Sequence, residues 1–255
     1  MITEKQHYIY NPPQEPLRIL YIDRDILITC KPSGLLTVPG KQSSDSLTMR
    51  LREKLRLECS PVHRLDTSTS GIILFSLNSR SSAILSEQFR LRIPNKRYIA
   101  HCEGIIEKDY GALAYPMSRD WSMAALTSAP VHKVDFAEGK KSLTWFKVVS
   151  RNYADNTTTV LLEPHTGRTH QLRVHLNYFG HPICDDLIYG SSCSLNRGDS
   201  LERRLKLHSC YLDFYHPVSR KFMRVISPAD FDRDIDYLGL LPRSLHFPER
   251  RHKAD

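Results

Sequence analysis

The sequence has no apolar run long enough to cross a bilayer as a helix. Its longest, at residues 72–77, falls far short of the roughly 20 apolar residues a spanning helix needs. The first 16 residues are polar and lack the apolar core of a secretory leader. No two of the six cysteines (Cys30, Cys59, Cys102, Cys184, Cys193 and Cys210) form a C-x-x-C pair, and a disulfide framework belongs to much shorter secreted chains. Internal repeats and low-complexity blocks are missing too. Together these absences predict reduced thiols, no membrane partner and a cytoplasmic location. Acidic residues are in deficit: 28 Asp and Glu stand against 36 Lys and Arg, a net charge of +8. That balance suits a polyanionic partner, because cations near phosphates release condensed counterions.

The 255 residues are 40% hydrophobic and 25% charged, which suffices for one large domain or two small ones. Residues 10–16 (YNPPQEP) hold too many prolines for a helix and read as an extended lead-in. Apolar runs at 18–22 and 26–30, split by Asp23-Arg24-Asp25, predict two strands and a tight turn. Leu47, Leu51 and Leu55 recur every fourth residue and predict a helix over 46–57. A second helix is expected at 80–92. A third, at 168–179, has Leu172, Leu176 and Phe179 on one stripe and Gly180 as its terminator. Strands are predicted at 72–77, 97–103, 143–149, 158–162, 205–214 and 221–226. Strands interleaved with few helices favour an α+β fold over a doubly wound parallel sheet. Residues 187–204 read as an insertion or surface loop, and the chain from 242 on as a poorly ordered basic end.

Two segments concentrate reactive side chains. VHRLDTSTSG at 62–71 places an arginine, a carboxylate and four hydroxyl residues in one loop before a buried strand; such a loop is most often only a hydrogen-bonded turn. TGRTHQLRVH at 166–175 would project His170, Arg173 and Asn177 from one helix face, a pattern usually no more than a solvated surface. Taken with KPSGLL at 31–36, KRY at 96–98 and GHPICDD at 180–186, they occur in an order that resembles the RluA-type pseudouridine synthases from about residue 10 to residue 230. HRLD followed by TSG, with GRTHQLR downstream, is the most specific part of the likeness.

The resemblance implies the pseudouridine synthase catalytic fold, a mixed, largely antiparallel sheet flanked by helices around a central cleft. It implies a lead-in at 1–16, a catalytic domain at 17–235 and a basic tail at 236–255. Asp66 would be the catalytic carboxylate and Tyr98 the ring that stacks on uracil and assists at C5. Arg173 would pair with Asp66, and Arg64 would fill the stack vacated by the flipped nucleotide. His63, Arg168, His170 and Gln171 join Arg64 as substrate-binding candidates. Five cations at 80–97 (Arg80, Arg90, Arg92, Lys96 and Arg97) form a candidate phosphate track.

Isomerisation of uridine involves no redox change and no phosphoryl transfer, so neither cofactor nor metal is expected. YNPPQEP and KPSGLLTVPG are most similar to the branch of the family acting on tRNA and 23S rRNA, which makes an anticodon stem-loop and an rRNA hairpin the implied partners. A monomer is the expected state. Two other readings compete: a metal-dependent hydrolase or deaminase using His165, His170, His175 and His181 with Cys184 nearby, and an RNA-binding protein without catalysis. The histidine spacings match no H-E-x-x-H or zinc-deaminase pattern. Cys184-Asp185 departs from the family, which usually has a small apolar residue and glycine there, and puts the local turn in question.

Overall fold

The structure, a computed structural model, describes residues 10–41, 43–126, 130–191, 204–237 and 239. After an extended stretch from Tyr10, β1 (Arg18–Ile22) and β2 (Ile26–Lys31) pair antiparallel. The turn between them forms around Asp23, whose Oδ1 accepts from the backbone N–H groups of Asp25 and Ile26. Helix α1 (Leu47–Leu55) is capped by the Ser46 side chain and stops where Arg56 turns left-handed. There follow β3 (Ser60–Pro61), β4 (Ser70–Ser76), α2 (Ser79–Arg90) with Asn78 as its cap, and β5 (Lys96–Glu103). A short hairpin region holds β6 (Tyr110–Leu113), β7 (Met117–Arg119), α3 (Trp121–Leu126) and β8 (His132–Val134). Then come β9 (Thr144–Asn152), β10 (Thr157–Pro164), α4 (Gln171–Tyr178), β11 (Leu207–Tyr215) and β12 (Phe222–Ile226).

The main sheet runs β1-β2-β4-β11-β5-β10-β9-β6, with β12 added on β11 and β3 on β4. Every pairing in it is antiparallel except β4 with β11, so the fold is the mixed, largely antiparallel α+β arrangement expected. Period-two alternation assigns the faces. Leu27, Ile73, Phe75, Tyr98, Ala100 and Leu162 point to one side, where α1 supplies Leu47 and Leu51 and α4 supplies Leu172 and Leu176. Ile26, Ile28, Ile72 and Leu74 point to the other, under Leu85 of α2. Strand β4 is therefore buried on both faces, which is why it reads as a continuous apolar run.

Further along that second side, Ile99, Leu161 and Tyr211 pack with Ala229 and Tyr237. Tyr237 is buried and its hydroxyl accepts from the Ala229 N–H, so packing continues past the tail boundary expected at 236. Most of the expected tail, from 240 on, and residues 192–203 of the expected insertion with Cys193 lie outside the described residues. The other five cysteines are free thiols.

Candidate active site

Across the middle of the sheet, Lys31, Gly71, Ser209 and Tyr98 stand in one row on four adjacent strands. Gly71 has φ +115, and a Cβ there would lie 2.3 Å from the backbone oxygen of Ser209. Glycine is what lets β4 and β11 meet. Asp66 lies close enough to both Lys31 and Tyr98 for its charge to act on each.

The loop carrying Asp66 is strapped by the segment around 31–37. Lys31 Nζ donates to the carbonyls of Pro32 (2.9 Å), Leu35 (2.7 Å) and Thr67 (2.8 Å), one acceptor for each ammonium proton. Gly34 N–H also donates to Thr67 O, and the Ser33 hydroxyl donates to Ser68 O. The Thr37 hydroxyl donates to Leu65 O and receives the Leu65 N–H. Burial pulls the Lys31 pKa down to about 7, with the Asp66 carboxylate pulling the other way. Leu65 is buried, Arg64 is exposed, and the Asp66 side chain is 22% exposed.

Around the Asp66 carboxylate lie His170, Tyr98, Lys31 and Arg173. His170 Nε2 is 4.0 Å from Asp66 Oδ1. Burial holds His170 down at about 4, so its ring is neutral across the physiological range; the charges of Asp66 and Asp186 oppose that, and those of Arg173 and His132 add to it. Tyr98 is driven upward by burial and then by the Asp66 charge, and a hydrogen bond with Ser209 offsets part of this; its phenol stays protonated. The expected Arg173–Asp66 pair does not form as a direct contact. Instead Arg173 Nε and Nη2 each reach Asp186 at 2.7 Å, a buried two-point pair, and Asp66 feels the guanidinium only as a nearby charge. The reason is geometric: the turn after Ile183 brings the Asp186 carboxylate in line with the arginine fork, and Oδ1 also accepts from the Ile188 and Tyr189 N–H groups.

The other sequence candidates divide. Arg168 is exposed. Gln171 is spent on the fold: its Oε1 accepts from Thr166 and the Arg168 N–H, and its Nε2 donates to Leu143 O and Thr144. His63 turns inward as well, accepting the Leu74 N–H and stacking on Phe89 at 5.0 Å. Helix α4 begins at Gln171 rather than 168 because His170 is left-handed, φ 56. Arg173 and Asn177, four residues apart on α4, lie on one face as predicted, Arg173 buried and Asn177 exposed. The phosphate track loses Arg97, which pairs with Glu163 beneath the sheet and lies 5.1 Å over the Tyr211 ring. Arg90 pairs with Glu87 on the surface.

The histidine-rich stretch does not assemble a metal site. His175 Nε2 meets Ser142 and Tyr115 O, while His181 meets Glu103 O. Among the described residues the one cluster with metal-like spacing is Asp23, Asp25 and His216. There His216 Nδ1 accepts the Val218 and Ser219 N–H groups, so Nε2 carries the proton it gives to Asp23. A protonated Nε2 leaves that cluster no imidazole lone pair for a cation.

Sequence reading passed over Lys31, Asp186 and Tyr189. Lys31 was visible as the lysine of KPSGLL, and Asp186 as the last residue of GHPICDD; what was missing was their distance to Asp66 and Arg173. Nothing local singled out Tyr189.

A family profile described as RNA pseudouridylate synthase matches residues 25–178, a span that contains Lys31, the Asp66 loop, Tyr98 and Arg173. The chain belongs to the RNA pseudouridylate synthase family. Its sequence is 42% identical over 225 residues to the dual-specificity RNA pseudouridine synthase RluA of Haemophilus influenzae, covering 87% of this chain and 98% of that one. The RluA of Vibrio cholerae is 41% identical, with 87% of each chain covered. Among solved structures, human RNA pseudouridylate synthase domain containing 1 aligns with a TM-score of 0.70 and 29% identity over 92% of this chain and 89% of that one. Domain containing 4 shares the fold, with a TM-score of 0.64 and 22% identity over 84% of this chain and 89% of that one. Membership fixes the class of chemistry, isomerisation of uridine in RNA, and no helix of the described residues is long and apolar enough to cross a membrane.

Proposed function

We propose that this pseudouridine synthase uses Asp66 as its catalytic carboxylate and acts on short RNA stem-loops, a tRNA anticodon arm and a 23S rRNA hairpin. The observation that carries the first part is the setting of Asp66. Its carboxylate is partly open, sits on a loop braced by Lys31 and Thr37, and is ringed by Tyr98, His170 and Arg173. The second part is supported by relatives at 40–42% identity that are named dual-specificity enzymes. No metal or cofactor is invoked, and the enzyme acts as a monomer in the cytoplasm, where such RNAs reside.

The reaction breaks the N1–C1′ bond, turns the base, forms C5–C1′, and moves the C5 proton out as N1 gains one. An ionised carboxylate serves either as nucleophile at C1′ or as base at the 2′ position. The uridine must leave its stack at a cost of a few kcal/mol. Arg64, exposed and two residues before Asp66, fills the hole in this reading. Tyr98 offers a protonated phenol and a ring face for uracil.

The test is turnover on both stem-loops as synthetic transcripts, with Asp66→Asn beside the unmodified enzyme. Product from both RNAs and none with Asp66→Asn is expected, with RNA affinity within a few-fold. Turnover by Asp66→Asn would remove the residue from its role. Failure on one transcript would narrow the substrate claim alone.

A further inference from the structure

We propose that Tyr189 is a positioning residue for this reaction: its hydroxyl locks His170 as the tautomer whose Nε2–H faces Asp66. The inference rests on the reading of Asp66 as the catalytic group. It begins with a proton count. The Tyr189 oxygen has one hydrogen and two lone pairs to place. The backbone N–H of His132 donates into one lone pair at 2.9 Å. The other neighbour is His170 Nδ1, also at 2.9 Å. If Nδ1 carried the proton, both lone pairs would be filled and the buried hydroxyl hydrogen would have no acceptor among the described residues, a penalty of about 1–3 kcal/mol. If the hydroxyl donates to Nδ1, every group is satisfied.

A neutral ring with a bare Nδ1 carries its hydrogen on Nε2. Both groups keep the required charge state: burial raises Tyr189 to about 12, and burial holds His170 at about 4. Nε2 is the atom that faces Asp66 Oδ1 across 4.0 Å, so the carboxylate meets a donor rather than a lone pair. A closure of about 1 Å would bring it within hydrogen-bond range. One carboxylate oxygen would then be held while the other remains free for the ribose.

Tyr189 also reaches the second arm of the site. The Arg173 guanidinium lies 5.0 Å over its ring, and its N–H donates to Asp186 Oδ1, the carboxylate that grips Arg173. Because the lock needs the His132 N–H, it also needs the β7–β8 hairpin in place. That hairpin packs through Met117, Val131 and Val134 against Val174 and Tyr189.

The experiment pairs nitrogen-15 NMR of the histidine rings in the full chain with a kinetic cycle. His170, assigned by its loss in His170→Gln, is expected to show a protonated Nε2 and a bare Nδ1 from pH 6 to 8. Tyr189→Phe should let Nδ1–H appear and lower kcat roughly tenfold while KM for the stem-loop stays within about twofold. In the double variant with His170→Gln, Tyr189→Phe should cost no more than about twofold, because the effect passes through the ring. Nδ1–H in the unmodified protein overturns the proposal, as does full additivity of the two losses or an unchanged kcat in Tyr189→Phe. The ring spectrum can be read even if Asp66→Asn proves active, so the two ideas fail separately.

Discussion

Arg173 and Asp186 are joined by two parallel 2.7 Å hydrogen bonds in a setting where both side chains are almost fully buried. The pair puts a fixed positive charge beside Asp66 without a direct bond to it. Arg173 is held above its ordinary pKa because the Asp186 and Asp66 charges outweigh its own burial. Removing one partner strands the other. Asp186→Asn is expected to lower stability by roughly 3–5 kcal/mol, read as a fall in the urea midpoint. Replacing both by apolar residues, Arg173→Met with Asp186→Leu, should recover part of that stability but none of the activity. An unchanged midpoint in Asp186→Asn would show that the pair is not the anchor described.

Gly71 carries the junction of β4 with β11, one strand from Lys31 and two from Tyr98. An alanine methyl would need space occupied by the Ser209 backbone and would hold φ at +115, which L residues avoid. Gly71→Ala should cost more than about 3 kcal/mol and splay the row from Lys31 to Tyr98. The check is thermal unfolding together with turnover. A variant within about 1 kcal/mol of the parent would contradict the close approach.

Four histidines are kept neutral by burial, His63 at about 3 and His170, His175 and His208 at about 4, against 6.5 in the unfolded chain. Their folded pKa values lie below the unfolded one, so the unfolded chain binds more protons as pH falls. The stability they contribute is present above about pH 6.5 and is lost on acidification toward 4. On the order of 1 kcal/mol per histidine should disappear between pH 7 and 5. Urea unfolding at both pH values tests this; coincident curves would mean these rings already protonate in the fold.

Strands were legible where apolar runs were continuous, as at 26–30 and 72–77, but such runs, buried on both faces, carry no period that fixes face or sheet order. The segment at 110–134 was not legible, because its strands are three or four residues long and half exposed, too short to express a period. The chemistry of the site was legible as types of residue, and the partners were less so. Arg173 was assigned to Asp66 by the family resemblance, while its pattern alone read as a solvated helix face; Asp186, thirteen residues on, lies inside a turn no pattern specifies. Gln171 and His63 belong to the strings that carry the family resemblance, yet their polar atoms close the loops that present Asp66 and Arg168.

The backbone at Asp185 has a consequence that can be measured. Asp185 adopts φ 58, the left-handed conformation glycine enters without penalty, and it lies immediately before the carboxylate that holds Arg173. The turn therefore carries backbone strain of about 1 kcal/mol. The aspartate gains little in return, since its contact with Lys206 is 3.9 Å long and partly exposed. Asp185→Gly should raise stability by roughly 0.5–1 kcal/mol, about 1–4 °C in Tm for a chain this size, and leave kcat within twofold. The Tm of the purified variant decides it. A lower Tm would mean that Asp185 supports the turn by a contact stronger than the strain it bears.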